Sequence, residues 1–164
     1  MADIVKVMPE NFPFAPEVPP VVAKLLQDAA AAYSQTHRAE AILWSAQAIA
    51  PSCLPVYFSL YKFYFYKHQL ENAEQAARQG LAVAARLGGF DPDWRAATPH
   101  SADWNDCFGP QHFYLFSLKA LAFICLRQQR ADESRAILDK LEEIDLRDSV
   151  GASVIRDLVR GAAS

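Results

Sequence analysis

The chain has 164 residues, of which 52% are apolar, 12% aromatic and 21% charged, and its formal net charge is −3 with a pI near 5.8. This composition is too hydrophobic for a disordered chain, and the sequence lacks the long uncharged run that a membrane-spanning helix requires. Because no basic stripe offsets the acidic balance, we expect neither a nucleic-acid nor a membrane partner, and the length predicts one soluble domain.

The first 19 residues are rich in proline and predict an extended arm ahead of a helical domain over residues 20–164. Acidic residues and prolines appear early in this arm, which is not the pattern of a secretory signal. The three cysteines, Cys53, Cys107 and Cys125, are widely spaced and form no disulfide framework. The sequence therefore predicts a cytoplasmic protein.

Two helical hairpins are predicted after the arm. The first joins VVAKLLQDAAAAY to HRAEAILWSAQAIA across a polar break, and Pro51 ends it. The second joins LPVYFSLYKFYFYKH to ENAEQAARQGLAVAARLGG, which ends in a glycine pair. The aromatic segment from Tyr57 to Tyr66 by itself also fits a strand, but its spacing and flanks favour a helix.

Residues 88–114 break this regularity with glycines, prolines and aspartates, and they predict a long inserted loop. A third hairpin follows, from QHFYLFSLKALAFICLRQQ to RADESRAILDKLEEID. After this hairpin, Asp148 and Ser149 can cap a short helix. The apolar face of this helix could cover the end of a stack of hairpins. The predicted fold is all-α, with three hairpins and a C-terminal capping helix.

The first two hairpins repeat at a period of 34 residues, which aligns Ala39 with Ala73 and Leu26 with Leu60. With units starting at Pro20 and Leu54, small residues fall where paired helices touch, and Pro51 closes the first unit. A third unit fits from Leu115. In these features the sequence resembles the tetratricopeptide-repeat family, although Gln27 and Tyr61 stand at its usual glycine position and its tryptophan is missing. The resemblance implies a short right-handed solenoid of about three hairpins.

The same resemblance implies a concave face that holds another protein, with defined positions of each first helix pointing into a groove. These positions predict a partner-binding set formed by Lys24, Phe58, Lys62, Phe65, Tyr66, Phe116, Lys119, Phe123 and Arg127. Such an aromatic and basic groove suits an acidic, partly apolar segment or a terminal carboxylate. The alternative is that the aromatic side chains pack between the units.

Trp94 and Trp104 in the insertion complete the predicted partner-binding set. Large aromatic side chains in a polar loop either anchor a partner or clamp the loop onto the helices. We favour clamping, because exposing so much apolar area is unusual in a monomer. The loop is then expected to fold back over the second hairpin and to form one edge of the groove.

The insertion also contains the only candidates for chemistry, His100, Asp103, Asp106, Cys107 and His112. Their spacing matches no compact metal motif, and loop aspartates commonly cap turns. Cys107 beside a histidine is the one arrangement that suggests a nucleophile. We therefore predict no enzyme activity, no metal and no cofactor, and keep a metal- or thiol-dependent enzyme as an alternative.

The segments DPDWRA, FYLFSLKALAFICLR and VGASVIRDL are similar to small repeat proteins that accompany bacterial nitrogen-fixation genes. This resemblance implies an adaptor, assembly factor or chaperone that associates with nitrogenase or its maturation machinery. In its length and its three hairpins, the chain also resembles the chaperones of type III secretion, which bind secreted translocators. The identity of the partner separates these two alternatives.

Overall fold

The structure is a computed structural model that describes residues 17–163, with side chains through residue 161, and these residues form seven α-helices and no strand. The aromatic segment around Tyr57 is helical, and the predicted all-α class is confirmed. A single 3-10 turn, Trp94–Ala96, lies in the insertion. The helices are α1 (Pro20–Ala31), α2 (Thr36–Ile49), α3 (Leu54–Tyr66), α4 (Leu70–Gly88), α5 (Pro110–Arg127), α6 (Ala131–Ile144) and α7 (Ser153–Ala163).

The helical domain begins at Pro20, the first residue of α1, where the missing N–H of proline leaves no donor unsatisfied. Of the predicted arm, residues 1–16 lie outside the described part of the chain. Residues 17–19 precede α1 without regular secondary structure.

Helices that follow one another in sequence pack against one another. The contacts run from α1 to α2, from α3 to α4 and from α5 to α6, and α4 also packs extensively against α5 across the insertion. Small side chains occupy the tight contacts: Ala39, Ala73 and Ser134 are fully buried on α2, α4 and α6. Helices α3 and α5 form the centre of the core, where Tyr61 Oη lies 3.3 Å from Ser117 Oγ.

The same turn joins α3 to α4 and α5 to α6. Gln69 N–H donates to Tyr64 O at 2.9 Å, and Arg130 N–H donates to Cys125 O at the same distance. His68 and Gln129 precede these donors and have φ angles of 59° and 65°, in the left-handed region. Both helix ends therefore satisfy their last carbonyl groups by the same backbone geometry.

The insertion is shorter than predicted, because α5 begins at Pro110 and residues 110–114 belong to that helix. Gly89 ends α4 with a φ of 73°, a conformation that favours glycine. Residues 89–109 pack where the second and third hairpins meet: Phe90 contacts Trp104 and Tyr114, and Lys140 Nζ of α6 donates to Ala97 O at 2.7 Å. The loop is expected over the second hairpin, whereas these contacts place it against α5 and α6 of the third hairpin.

Helix α7 closes the described chain by packing on α5 and α6. Asp148, with a φ of 51°, accepts hydrogen bonds from the backbone N–H and hydroxyl of Ser153 at the start of α7. Asp145 accepts from Ser149 and from the Val150 N–H, which fixes the preceding turn. Within residues 17–163, none of the helices combines the length and hydrophobicity needed to cross a bilayer.

Candidate protein-binding groove

A groove of about 340 Å³ lies between α1 and α3. Ala29 and Ala30 on α1 face large aromatic residues on α3, and this difference in side-chain size leaves the space open. Leu43 of α2 also lines the groove. The remaining lining residues are Leu26, Gln27, Tyr33, Phe58, Ser59, Lys62, Phe63 and Tyr66.

Cationic side chains lie on the aromatic rings of this groove. Lys62 Nζ is 5.5 Å from the centre of the Phe58 ring. Lys67 Nζ is 3.9 Å from the centre of the Tyr33 ring and 5.9 Å from that of Phe63. Tyr33 is 42% exposed and meets Phe63 edge to face, with ring centres 6.0 Å apart. Cation–π contacts of this kind hold each ammonium group near the ring face.

The predicted groove is closed where α3 meets α5. Phe58 packs on Phe116 with ring centres 5.9 Å apart, and Phe65 packs on Phe123 at 5.3 Å. All four rings are buried. The aromatic side chains where α3 meets α5 therefore pack between the units, which is the alternative given in the sequence analysis. The prediction of an open groove along α5 is corrected. Only Phe58 of these four residues also lines the α1–α3 groove.

Among the predicted partner-binding residues, Lys119 departs most from the prediction, which placed it in an accessible groove. The side chain is only 3% exposed, and Nζ donates to Val150 O at 2.6 Å. Burial lowers the pKa of Lys119 to about 8, although the Asp148 carboxylate acts in the opposite direction. Lys119 is therefore held beneath the segment before α7 and does not line an accessible groove.

The other predicted residues have varied positions. Lys62 and Tyr66 line the α1–α3 groove. Lys24 is exposed and pairs with Asp28 one turn along α1, outside the lining. Arg127 is exposed at the end of α5, where its guanidinium carbon is 6.0 Å from the centre of the Phe65 ring. Contact of these residues with a partner stays a prediction.

Both tryptophans of the insertion are buried, with Trp94 at 6% and Trp104 at 5% exposure. Trp104 packs on Tyr114, and its Nε1 donates to Thr98 O at 2.9 Å. The Trp94 Nε1 has no hydrogen-bond partner among the described residues, and Arg95 lies over the Trp94 ring. The Trp104–Tyr114 contact holds the insertion to α5, and the insertion contributes no lining residue to the α1–α3 groove.

The candidates for chemistry are spread over the insertion and the start of α5. Asp103 and Asp106 accept backbone hydrogen bonds from Asn105 and Phe108, as turn-capping aspartates do. Cys107 is exposed, whereas His112 is buried, and burial lowers the pKa of His112 despite the opposing charges of Asp145 and Asp106. Among the described side chains, no cluster of three or more His, Cys, Asp or Glu residues could hold a metal ion.

The chain resembles a protein of Azotobacter chroococcum mcd 1 over most of its length. It is 34% identical over 149 residues to the "uncharacterized 19.8 kDa protein in nifW 5′ region" of Azotobacter chroococcum mcd 1, and the match covers 90% of this chain and 80% of that protein. The chain belongs to the same family as that protein. No protein-family model and no solved structure matches the chain.

In this member of the nifW 5′-region protein family, the predicted set includes only Phe58, Lys62 and Tyr66 of the groove lining. Among the residues that it lacks are the aromatic lining residues Tyr33 and Phe63, and also Lys67, which lies over the Tyr33 ring beside the groove. Tyr33 lies in the turn after α1, and Lys67 directly follows α3, so neither falls on a groove position of the repeat. The concentration of aromatic residues in α3 is a signal for Phe63 alone, because Tyr33 and Lys67 lie outside that helix.

Proposed function

We propose that the chain is a non-enzymatic adaptor or assembly factor that binds another protein in support of nitrogen fixation, in association with nitrogenase or its maturation machinery. The observation that carries the proposal is the relative found in the nifW 5′ region, which connects the family with nitrogen-fixation genes. Genes with a common role are often neighbours in bacteria. The three widely spaced cysteines suit action in a reducing cytoplasm.

Stacked tetratricopeptide-like hairpins are the architecture that we propose for this role. Three features support it: helices packed in sequence order, the small buried residues Ala39, Ala73 and Ser134, and the turn that recurs after α3 and after α5. Stacks of helical hairpins commonly present an extended surface to a polypeptide. The groove between α1 and α3 supplies such a surface here.

A binding role also agrees with the chemistry of the groove. Its lining is mostly apolar and aromatic, and the ammonium groups of Lys62 and Lys67 lie over its rings. Aromatic residues that are partly exposed and pre-organised are typical anchors in protein interfaces. We therefore assign the groove to recognition and propose no catalytic residue.

Deletion of the gene in a nitrogen-fixing bacterium tests the proposal. We expect slower growth on dinitrogen and lower acetylene reduction, with unchanged growth on ammonium, and restoration of both by the wild-type gene. A tagged copy expressed from the same locus is expected to co-purify with a nitrogen-fixation protein. Equal growth of the deletion strain on dinitrogen would remove the proposed role, and recovery of a secreted translocator would favour the secretion-chaperone alternative.

A further inference from the structure

A cleft between α6 and α7 combines an apolar interior with carboxylate groups, and none of the predicted partner-binding residues lines it. We infer that this cleft binds a short basic segment of a second protein through one aliphatic side chain flanked by lysine or arginine. The inference goes beyond the proposed function, because it adds a binding surface at the other end of the helix series from the α1–α3 groove. An adaptor that holds two proteins at once requires two such surfaces.

The cleft has room for one side chain. Its volume is about 190 Å³, which is below the size of typical ligand pockets. Leu138 and Leu141 of α6 supply apolar lining, as does Ala152 directly before α7. The small side chain of Ala152 leaves space beside the two leucines. An aliphatic side chain that enters this space would remove its own surface from water, which is the main favourable contribution to association.

Leu146, in the turn after α6, extends the apolar lining to the outside of the cleft. It is 81% exposed although it lines the cleft. The turn that carries it is fixed, since the Asp145 carboxylate accepts hydrogen bonds from Ser149 and from the Val150 N–H. An exposed apolar side chain on a pre-organised turn can be covered by a partner at little cost in conformational entropy.

Charge selects the residues that flank the aliphatic anchor. Three carboxylates line the cleft, those of Glu142, Asp145 and Asp148. Among the described residues of the lining, Arg156 is the only cation, and it is already paired, with Glu142 at 3.0 Å and with Asp139 at 2.8 Å. Lysine or arginine beside the anchor would therefore be attracted to the cleft, whereas aspartate or glutamate would be repelled.

Two further cations near this end of the chain lie outside the lining. Lys119 is buried beneath the turn, where its ammonium group donates to the Val150 carbonyl. Arg147 is exposed on the turn and does not line the cleft. An entering basic segment would therefore meet the carboxylates of the lining before either of these cations.

A peptide selection on the full-length chain tests the inference. Random peptides displayed on phage are selected on the immobilised chain, and the most enriched peptide is labelled for fluorescence polarisation. We expect enrichment of sequences in which one Leu, Ile, Val or Met is flanked by Lys or Arg. The substitution L146A should weaken binding about fivefold or more, because it removes apolar area that the peptide would cover.

The double substitution E142Q/D148N tests the contribution of charge. It should weaken binding about fivefold and make the remaining affinity less sensitive to sodium chloride. Glutamine and asparagine keep an oxygen that can accept the native hydrogen bonds from Arg156 and Ser153. The double variant therefore removes charge with little change in shape.

I49A and D132N are the matched controls. Ile49 is 56% exposed at the end of α2, the Asp132 side chain is fully exposed at the start of α6, and neither lines the cleft. Both controls should retain wild-type affinity, and circular dichroism should show all variants folded. Enrichment of acidic peptides, no enrichment, or binding that ignores L146A or E142Q/D148N would overturn the inference. The growth phenotype of the deletion strain would be unaffected, so failure here is distinguishable from failure of the proposed function.

Two other occupants of the cleft are covered by companion measurements. If a chain lacking residues 1–16 binds the peptide much more tightly than the full chain, the cleft is assigned to its own amino-terminal segment. If sedimentation velocity shows a wild-type dimer that L146A abolishes, the cleft is assigned to a second copy. Either result would overturn the assignment to a basic segment of another protein.

Discussion

Lys119 is a charged residue inside an apolar helix. α5 is buried over most of its length, so the Lys119 ammonium group is taken out of water and is compensated by the Val150 carbonyl group. A hydrogen bond to a carbonyl offsets only part of the cost of burying a charge, and the pKa of Lys119 is therefore lowered to about 8. Reversing this charge would place a carboxylate against that carbonyl and is not a clean test of binding.

The substitution K119M should change how stability depends on pH. Between pH 8 and 10.5 the unfolded chain keeps the proton that folded Lys119 releases, so unfolding takes up a proton and stability rises with pH. Below pH 8 both states are charged, and this contribution is constant. Relative to K119M, the wild type is expected to gain up to about 3 kcal/mol of unfolding free energy between pH 8 and 10.5, at 1.36 kcal/mol per pKa unit.

Urea denaturation of both proteins at pH 7.5 and pH 10 measures this difference. Because the tyrosines are the same in both proteins, their titration cancels in the comparison. If the difference in unfolding free energy between the wild type and K119M stays constant with pH, Lys119 titrates normally in the folded chain.

Helix α4 is held between α3 and α5, and Gly80 is the residue that permits this close approach. A Cβ atom added at Gly80 would lie 3.0 Å from Tyr57 Cβ and 3.3 Å from the Phe113 ring. The Tyr57 atom is next to the backbone and cannot move without moving α3. The extensive packing of α4 therefore depends on a residue without a side chain.

The substitution G80A should destabilise the chain. Alanine favours the helix by about 1 kcal/mol, but overpacking in a tight contact costs about 1–3 kcal/mol, so we expect a net loss of about 1 kcal/mol. G161A in α7 is the matched control, because among the described residues no atom outside the backbone of α7 lies within 4 Å of its added Cβ, and it should stabilise slightly. Chemical denaturation measures both changes, and a stabilising G80A would show that α3 and α5 relax easily.

The whole molecule is a series of helices in which most contacts connect sequence neighbours. Stability in such an arrangement is distributed along the chain as unit and interface contributions. α3, α4 and α5 have neighbours on both sides, whereas α1 packs mainly on α2, and α7 closes the other end. We therefore expect the centre to be the most stable part.

Native-state hydrogen exchange should reveal this gradient. Backbone amides of α3–α5 are expected to exchange about 10–100 times more slowly than those of α1 and α7, since the ends can open without the centre. Mass spectrometry of exchanged and digested protein gives the rate for each helix. Equal protection of all helices would mean that the chain opens only as one cooperative unit.

The sequence by itself determined the helices and their order. The apolar spacing, the alanine-rich segments and the breaks at Pro51 and Gly89 are local signals, and local backbone preferences decide where a helix starts and ends. The recurrence of Ala39 as Ala73 also predicted which positions are buried. The start of α5 is less sharply defined, because the predicted loop over residues 88–114 overlaps the predicted helix from Gln111, and the helix begins at Pro110.

Only the tertiary structure decided which aromatic and cationic side chains remain accessible. Phe58 and Phe116 are separated along the chain by the insertion, yet their rings meet in the core, and Lys119 lies beneath a turn from beyond α6. Tyr33 and Lys67 stand at helix ends, and their proximity arises when α1 packs beside α3. The position of a groove depends on which surfaces cover each other, and that depends on packing between distant segments rather than on local pattern.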